Sequence, residues 1–286
     1  MFDKPALFGF SCDEGVRRNN GRTGARGGPD AIRYALHKLS RWSALPCTDA
    51  GTVRCEGKQL EAAQAELAER IAAQLAVGNS PIVLGGGHEV AWGSYQGICQ
   101  HLAGREQTVG IINFDAHFDL RDPVNGGNSG TPFRQIAEHC DQRDTPFRYM
   151  VLGINPAMNG QALFDYADER GVQWTADVEM QQHNLAQLRE QINEFVDSVD
   201  SIYLSICLDV FPAAQAPGVS APGVPGVCAA TVVLLLQHIV RYCGGERAPV
   251  MLMDIAEMNP EFDRDGITAR LAARLIYEVI EAASTD

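Results

Sequence analysis

What most constrains this chain is an alternation, kept up along all 286 residues, of short apolar runs with longer helix-like stretches. Eight runs read as strands: 6–10, 48–53, 81–84, 108–114, 148–152, 172–175, 201–208 and 250–255. Several are continuously apolar, as a parallel strand buried on both faces must be. Helical stretches lie between them at 30–39, 59–77, 89–102, 131–140, 185–199, 229–243 and 267–283. Pro29 suits the start of the first, and Gly78 stops the second. The pattern predicts an α/β fold with three layers, α/β/α, around a mostly parallel central sheet of about eight strands. No repeat, low-complexity segment or linker interrupts it, so residues 1–286 read as a single domain. Two loops are long, 121–130 and 211–226, and long loops in compact domains are often functional.

Composition narrows the function. Hydrophobic residues make up 45% and charged residues 21%, which excludes a mainly disordered chain. Lys plus Arg number 23 against 36 Asp plus Glu, and the net charge of −13 argues against nucleic acid and anionic membranes as partners. No apolar run approaches the ~20 residues of a membrane-spanning helix. Residues 1–10 carry Asp3 and Lys4 and no long apolar core, so they do not read as a secretory signal, and a cytoplasmic location is expected. The eight cysteines include no C-x-x-C pair, which removes zinc ribbons and thioredoxin-type motifs. Most, Cys12, Cys99 and Cys243 among them, read as reduced and buried.

In open α/β sheets ligands collect at the carboxyl ends of the strands. Four such ends carry polar groups: Gly85-Gly86-Gly87-His88; Asp115, His117 and Asp119; Cys207 and Asp209; and Glu257. Alone, the glycines could be a tight turn and His88 a hydrogen-bonded loop residue. They fit no phosphate-binding glycine motif. Trp92 excludes H-E-x-x-H, and no G-x-S-x-G elbow exists. Asp115-Ala116-His117-Phe118-Asp119 is more telling. Alternate residues at a strand end point the same way, so two carboxylates and an imidazole converge. Unpaired, such carboxylates repel and resist burial, whereas a divalent cation removes both penalties. His88 and Asp209 could complete a site for two ions, which can generate hydroxide at neutral pH and polarise an electrophile.

These residues together resemble the ureohydrolase family of arginase and agmatinase, which carries G-G-x-H, D-A-H-x-D, S-x-D-x-D and a late Glu in this order. Here they are Gly85–His88, Asp115–Asp119, Ser205–Asp209 and Glu257. Within the family, the chain looks most like the formimidoylglutamase branch of histidine degradation, through Cys12–Asn19, Asp119-Leu120-Arg121, Asp209-Val210-Phe211-Pro212 and Asp263-Arg264-Asp265-Gly266. The resemblance implies two Mn²⁺ ions per subunit, one held by His88, Asp115, Asp119 and position 207, the other by Asp115, His117, position 207 and Asp209. A hydroxide between them would attack the formimino carbon of N-formimino-L-glutamate, giving L-glutamate and formamide. Asp119 would carry a proton to the leaving nitrogen and Glu257 would hold the amidine-like group. Where arginases have a histidine proton shuttle, Asn128-Ser129-Gly130-Thr131 offers Ser129. A homo-oligomer is expected by the same analogy.

Substrate charge points to the same branch. A substrate with two carboxylates needs local cations, and Arg121 stands two residues past Asp119. Arg17, Arg18, Arg22 and Arg26 bunch within ten residues of a Gly-rich loop. Arg17, Arg18, Arg121, Asn128, Ser129 and Glu257 are therefore candidate substrate contacts; a surface salt bridge or a subunit contact remains open for the arginines. Agmatinase, arginase or another guanidino-acid hydrolase is the alternative enzyme.

One residue departs from the family. Cys207 stands where it has a bridging Asp. A thiolate offers one soft sulfur on a shorter arm, which suits Zn²⁺ or iron better than Mn²⁺. Three readings stay open: an altered metal preference, an impaired one-metal or empty site, or a position changed from the natural residue.

Overall fold

The structure, a computed structural model, describes residues 4–42 and 47–284. Eight strands form one sheet: β1 (Pro5–Ser11), β2 (Thr48–Arg54), β3 (Ser80–Leu84), β4 (Val109–Phe114), β5 (Arg148–Ile154), β6 (Gln173–Ala176), β7 (Ser201–Cys207) and β8 (Val250–Ala256). Their order across the sheet is β2-β1-β3-β8-β7-β4-β5-β6. Every pairing is parallel, so the sheet is more uniform than the mostly parallel one expected. All eight carboxyl ends consequently open on one edge. Nine α-helices accompany the described strands: α1 (Glu14–Arg18), α2 (Gly28–His37), α3 (Leu60–Ala76), α4 (Val90–His101), α5 (Pro132–Gln142), α6 (Gln161–Glu169), α7 (Leu185–Asp197), α8 (Ala229–Tyr242) and α9 (Ile267–Ala283). No described helix is long and apolar enough to cross a membrane.

The continuous apolar runs are explained by two cores, one on each face. Leu7, Ile82, Ile112, Leu204 and Met253 face one layer with Ile32 of α2, Phe195 of α7, Leu235 of α8 and Ile276 of α9. Their strand neighbours Phe8, Val83, Ile111, Tyr203 and Leu252 face the other, with Leu67 of α3, Ile98 of α4, Phe133 of α5 and Ala167 of α6. Alternate residues take opposite faces, so only a strand apolar at every position satisfies both. The edge strands β2 and β6 are mostly exposed and correspondingly more polar.

Two helices lie outside the sequence-derived pattern. At five residues, α1 is too short to show a period. In α6 only Ala167 is fully buried, so no apolar stripe marks it, although Leu163, Phe164 and Tyr166 pack partly against the core.

The glycine run is more than a tight turn. Gly85 N–H donates to Ile255 O at 2.7 Å, Gly87 N–H to Cys12 O at 3.1 Å, and Gly86 O accepts from Glu257 N–H at 2.8 Å. The chain thus threads between the ends of β1 and β8 to deliver His88. A Cβ on Gly86 would collide with the Cys12 backbone, which cannot swing aside as a side chain could. Gly86→Ala is expected to destabilise the fold by about 3 kcal/mol through overpacking. An unchanged urea midpoint would show that the backbone relaxes there.

Candidate metal centre and active-site cavity

The strands β3, β8, β7 and β4 are consecutive in the sheet, so the four polar motifs at their carboxyl ends become neighbours. In register, Ser205 lies between Asn113 and Asp254. These buried residues make a polar support beneath the site. Ser205 Oγ donates to Asp254 Oδ1 at 2.7 Å, and Asp254 Oδ2 accepts from Ser94 Oγ at 2.9 Å and from the Tyr203 hydroxyl. With its proton so directed, Ser205 Oγ is an acceptor for His88 Nε2, 3.0 Å away. That contact leaves Nδ1 of the neutral ring as a lone pair facing the site, the arrangement a metal-ligating histidine needs. Phe133 packs edge-on against the same ring, 5.3 Å between centroids. Asp115 is fixed likewise: Oδ1 accepts from His117 N–H at 2.7 Å and Oδ2 from Asn113 Nδ2 at 3.1 Å.

Above this support the six candidate ligands converge. His88 Nδ1 is 2.9 Å from Asp115 Oδ2 and 2.9 Å from Asp119 Oδ2. His117 Nδ1 is 3.1 Å from Asp209 Oδ2 and 3.6 Å from Asp115 Oδ1. Donor atoms form two clusters, each with all atoms within 4.8 Å: His88, Asp115 and Cys207; and Asp115, His117 and Asp209. Asp115 belongs to both.

The electrostatics fit cations. Asp115, Asp119, Asp209 and Glu257 bring four carboxylates against two imidazoles. Burial opposes charge on Asp115, but hydrogen bonding from His117, with the His88 imidazole close by, outweighs it and holds its carboxyl low. Burial, with Asp115 beside it, pushes Asp119 up to about 6. Burial and the charges of Glu89 and Asp209 push Glu257 well above the usual carboxylate range, and burial with Asp115 and Asp209 does the same to the Cys207 thiol. A bound cation reverses these signs and deprotonates a coordinating thiol. His88 Nδ1, Asp209 Oδ1 and Glu257 Oε2 are also buried without a hydrogen-bond partner. Such orphaned atoms are rare unless they await a ligand.

The cluster forms the inner end of a cavity of about 310 Å³. Cys207, Asp209 and Glu257 line its depth; Arg22 and Arg121 are exposed at its mouth. Arg121 Nη1 donates to Asn19 Oδ1 at 2.8 Å, and Asn19 Nδ2 donates to Ser129 Oγ at 3.1 Å, building one polar wall. Glu257 takes a positive φ of 68° so that its side chain turns inward, where Oε1 accepts from His88 N–H at 2.9 Å.

Three of the expected substrate contacts do not line this cavity. Arg17 is half exposed and bound to Glu14 at 2.6 Å. Arg18 is held by Glu14, Glu61 and the Gly127 carbonyl. Glu14 is itself buried, and its carboxylate, lowered to about 2 by hydrogen bonds from Arg17 with help from Arg18, occupies both guanidiniums. Asn128 closes its own loop, Oδ1 accepting from Gly130 N–H. In their place the cavity uses Asn19, Arg22, Asn159 and Ser220. Arg22 binds the 211–226 loop through the Ser220 and Val219 carbonyls. Asn159 braces the D-A-H-x-D turn, its Nδ2 donating to Ala116 O and its Oδ1 accepting from Phe118 N–H. Only the length of the 211–226 loop signalled Ser220, and nothing in the sequence pattern signalled Asn159.

A sequence model of the arginase family matches residues 3–281. The chain belongs to the arginase family. Among curated family members, formimidoylglutamase of Aeromonas hydrophila is 50% identical over 96% of this chain and 86% of its own. That of Chromobacterium violaceum is 48% identical over 96% and 86%. The solved structure of Trypanosoma cruzi formiminoglutamase with Mn²⁺ superposes with a TM-score of 0.83 at 26% identity, covering 99% of this chain and 94% of that one. The arginase-family fold is equally plain against Bacillus subtilis formimidoylglutamase, with a TM-score of 0.87 over 99% of this chain and 88% of that one at 24% identity.

If Ser205 fixes the His88 ring, Ser205→Ala should weaken Mn²⁺ binding by about 10- to 100-fold, as loss of ligand-orienting groups does. Titration calorimetry of the metal-stripped protein measures this, and equal affinity would remove the role.

Proposed function

We propose that this chain, working as a single ureohydrolase domain, hydrolyses N-formimino-L-glutamate to L-glutamate and formamide in histidine degradation. The observation that carries the reading is the polarity of the cavity: a buried, unpartnered carboxylate oxygen of Glu257 at one end and an exposed guanidinium of Arg121 at the other. That matches a ligand with an amidine at one end and carboxylates at the other. Kinship with formimidoylglutamases at 46–50% identity supports it. Agmatinase is disfavoured because the cationic tail of its substrate would meet Arg121.

His88, Asp115, Asp119 and Cys207 would hold one divalent cation, and Asp115, His117 and Asp209 the other, with Mn²⁺ suggested by the trypanosomal relative. Such a pair supplies a strong nucleophile from water at neutral pH and polarises the substrate. Glu257 Oε2 accepts the amidine N–H. Asp119, beside His88 and open to the cavity, passes a proton to the leaving nitrogen. Arg121 and the Ser129 hydroxyl hold a substrate carboxylate at the mouth. All eight cysteines are free thiols, in keeping with a cytoplasmic enzyme; assembly as a homo-oligomer completes the reading.

Product analysis tests the assignment, since glutamate with formamide is expected and ornithine, putrescine or urea would overturn it. Glu257→Gln should lower kcat/KM by about 100-fold, the scale of losing one oriented transition-state contact. Arg121→Ala should raise KM by about tenfold, the lower end for a charge-assisted hydrogen bond at an exposed site, with kcat little changed. Arg17→Ala should leave KM alone; a rise matching that of Arg121→Ala would return Arg17 to the binding site.

A further inference from the structure

The two donor clusters differ in kind. Cys207 Sγ stands with His88 Nδ1 and Asp115, whereas the set of His117, Asp209 and Asp115 contains only nitrogen and oxygen. Cys207 ends β7, is 1% exposed, and has no hydrogen bond to its thiol among the described residues. The buried Nδ1 of His88, without a hydrogen-bond partner, lies in the same donor cluster. A carboxylate could serve two hard ions through two oxygens. One sulfur on a shorter arm serves the ion it is nearest, and soft thiolate favours borderline cations over Mn²⁺.

We propose that the site is chemically asymmetric: the position framed by His88, Asp115 and Cys207 is thiophilic and takes a cation of the Zn²⁺ or Fe²⁺ class, while that framed by Asp115, His117 and Asp209 is hard and takes Mn²⁺. This rests on the metal-dependent reading above and deepens it. For divalent ions, affinity at nitrogen, oxygen or sulfur donors rises from Mn²⁺ through Fe²⁺ and Co²⁺, and Zn²⁺ also exceeds Mn²⁺; soft thiolate widens that gap at the first position, so a limiting supply of Zn²⁺ fills it first and leaves the second to Mn²⁺. The asymmetry also removes a shared donor atom. A thiolate replaces a carboxylate of equal charge at the first position, but the second loses a bridging oxygen and relies on Asp115 alone as its shared ligand.

The test offers the chelator-stripped full chain one equivalent of Zn²⁺ with an excess of Mn²⁺ and measures metal content after desalting. About one Zn²⁺ and one Mn²⁺ per chain are expected if softness governs the first position. Cobalt gives a second readout, because Co²⁺ bound to a thiolate shows a near-ultraviolet sulfur-to-metal charge-transfer band. The band should appear with the protein as it stands and vanish in Cys207→Asp and in Cys207→Ser, with far-ultraviolet circular dichroism confirming that the variants fold. Cys207→Asp should also lower Zn²⁺ uptake relative to Mn²⁺ by about 10- to 100-fold, at least the effect of disturbing a ligand's support. Mn²⁺ filling both positions against Zn²⁺, or Co²⁺ bound without the band, overturns the proposal. A band and Zn²⁺ retention without formiminoglutamate turnover under any metal would uphold the sulfur site and overturn the assigned substrate instead.

Discussion

Everything in this structure depends on one crowded charge cluster. Asp115, Asp119, Asp209 and Glu257 lie together at the inner end of the cavity, with the imidazoles of His88 and His117 against them. Carboxylates brought together out of water repel one another and lose hydration, so such a cluster persists only where the surrounding fold over-determines it. The fold does so by sheet topology. Four adjacent parallel strands present their carboxyl ends side by side, and the two apolar cores hold those strands from both faces. Moving any one strand end would take a ligand away from two neighbours at once.

The support is chemical as well as geometric. Asp254 is buried and takes hydrogen bonds from Ser94, Tyr203 and Ser205. It belongs to neither donor cluster, yet through Ser205 it decides which nitrogen of His88 is free. The glycine run performs the matching task for the backbone, since only residues without Cβ can pass between Cys12 and Ile255 to put His88 over Ser205. Asp119 and Glu257, both at positive φ, show that the chain accepts backbone strain where a side chain must be turned into the pocket.

How much of this was legible in the sequence follows from which forces leave a periodic trace. Burial on both faces forces apolar runs, so the inner strands and the α/β class could be read directly, while the exposed edge strands β2 and β6 were read from the alternation they continue. Strand-end placement made Asp115, His117, Asp209 and Glu257 readable as neighbours in space, because parallel strands share one carboxyl edge. The arginines were not separable that way. Arg17, Arg18, Arg22 and Arg121 have the same chemistry, and only the burial of Glu14 decides that the first two turn away from the cavity. Asn159 and Ser220 reach the cavity through loop conformations, and α6, which adds Leu163, buries too narrow a stripe to leave a pattern.

The division between strand ends and loops also separates two kinds of selectivity. The inner residues sit on or next to strands that cannot shift without breaking the core, so their spacing is rigid and suits the exacting geometry of cations. The mouth is built from loops that hold one another: Arg22 binds the carbonyls of residues 219 and 220, and Arg121 reaches Ser129 through Asn19. Such contacts are exposed and individually weak, so the mouth can be altered without disturbing the centre. On the reading proposed above, a substitution there changes which substrate tail is accepted. One at Cys207 leaves the tail alone and changes what the centre can bind, because that residue touches the donor cluster and the cavity floor and nothing at the mouth.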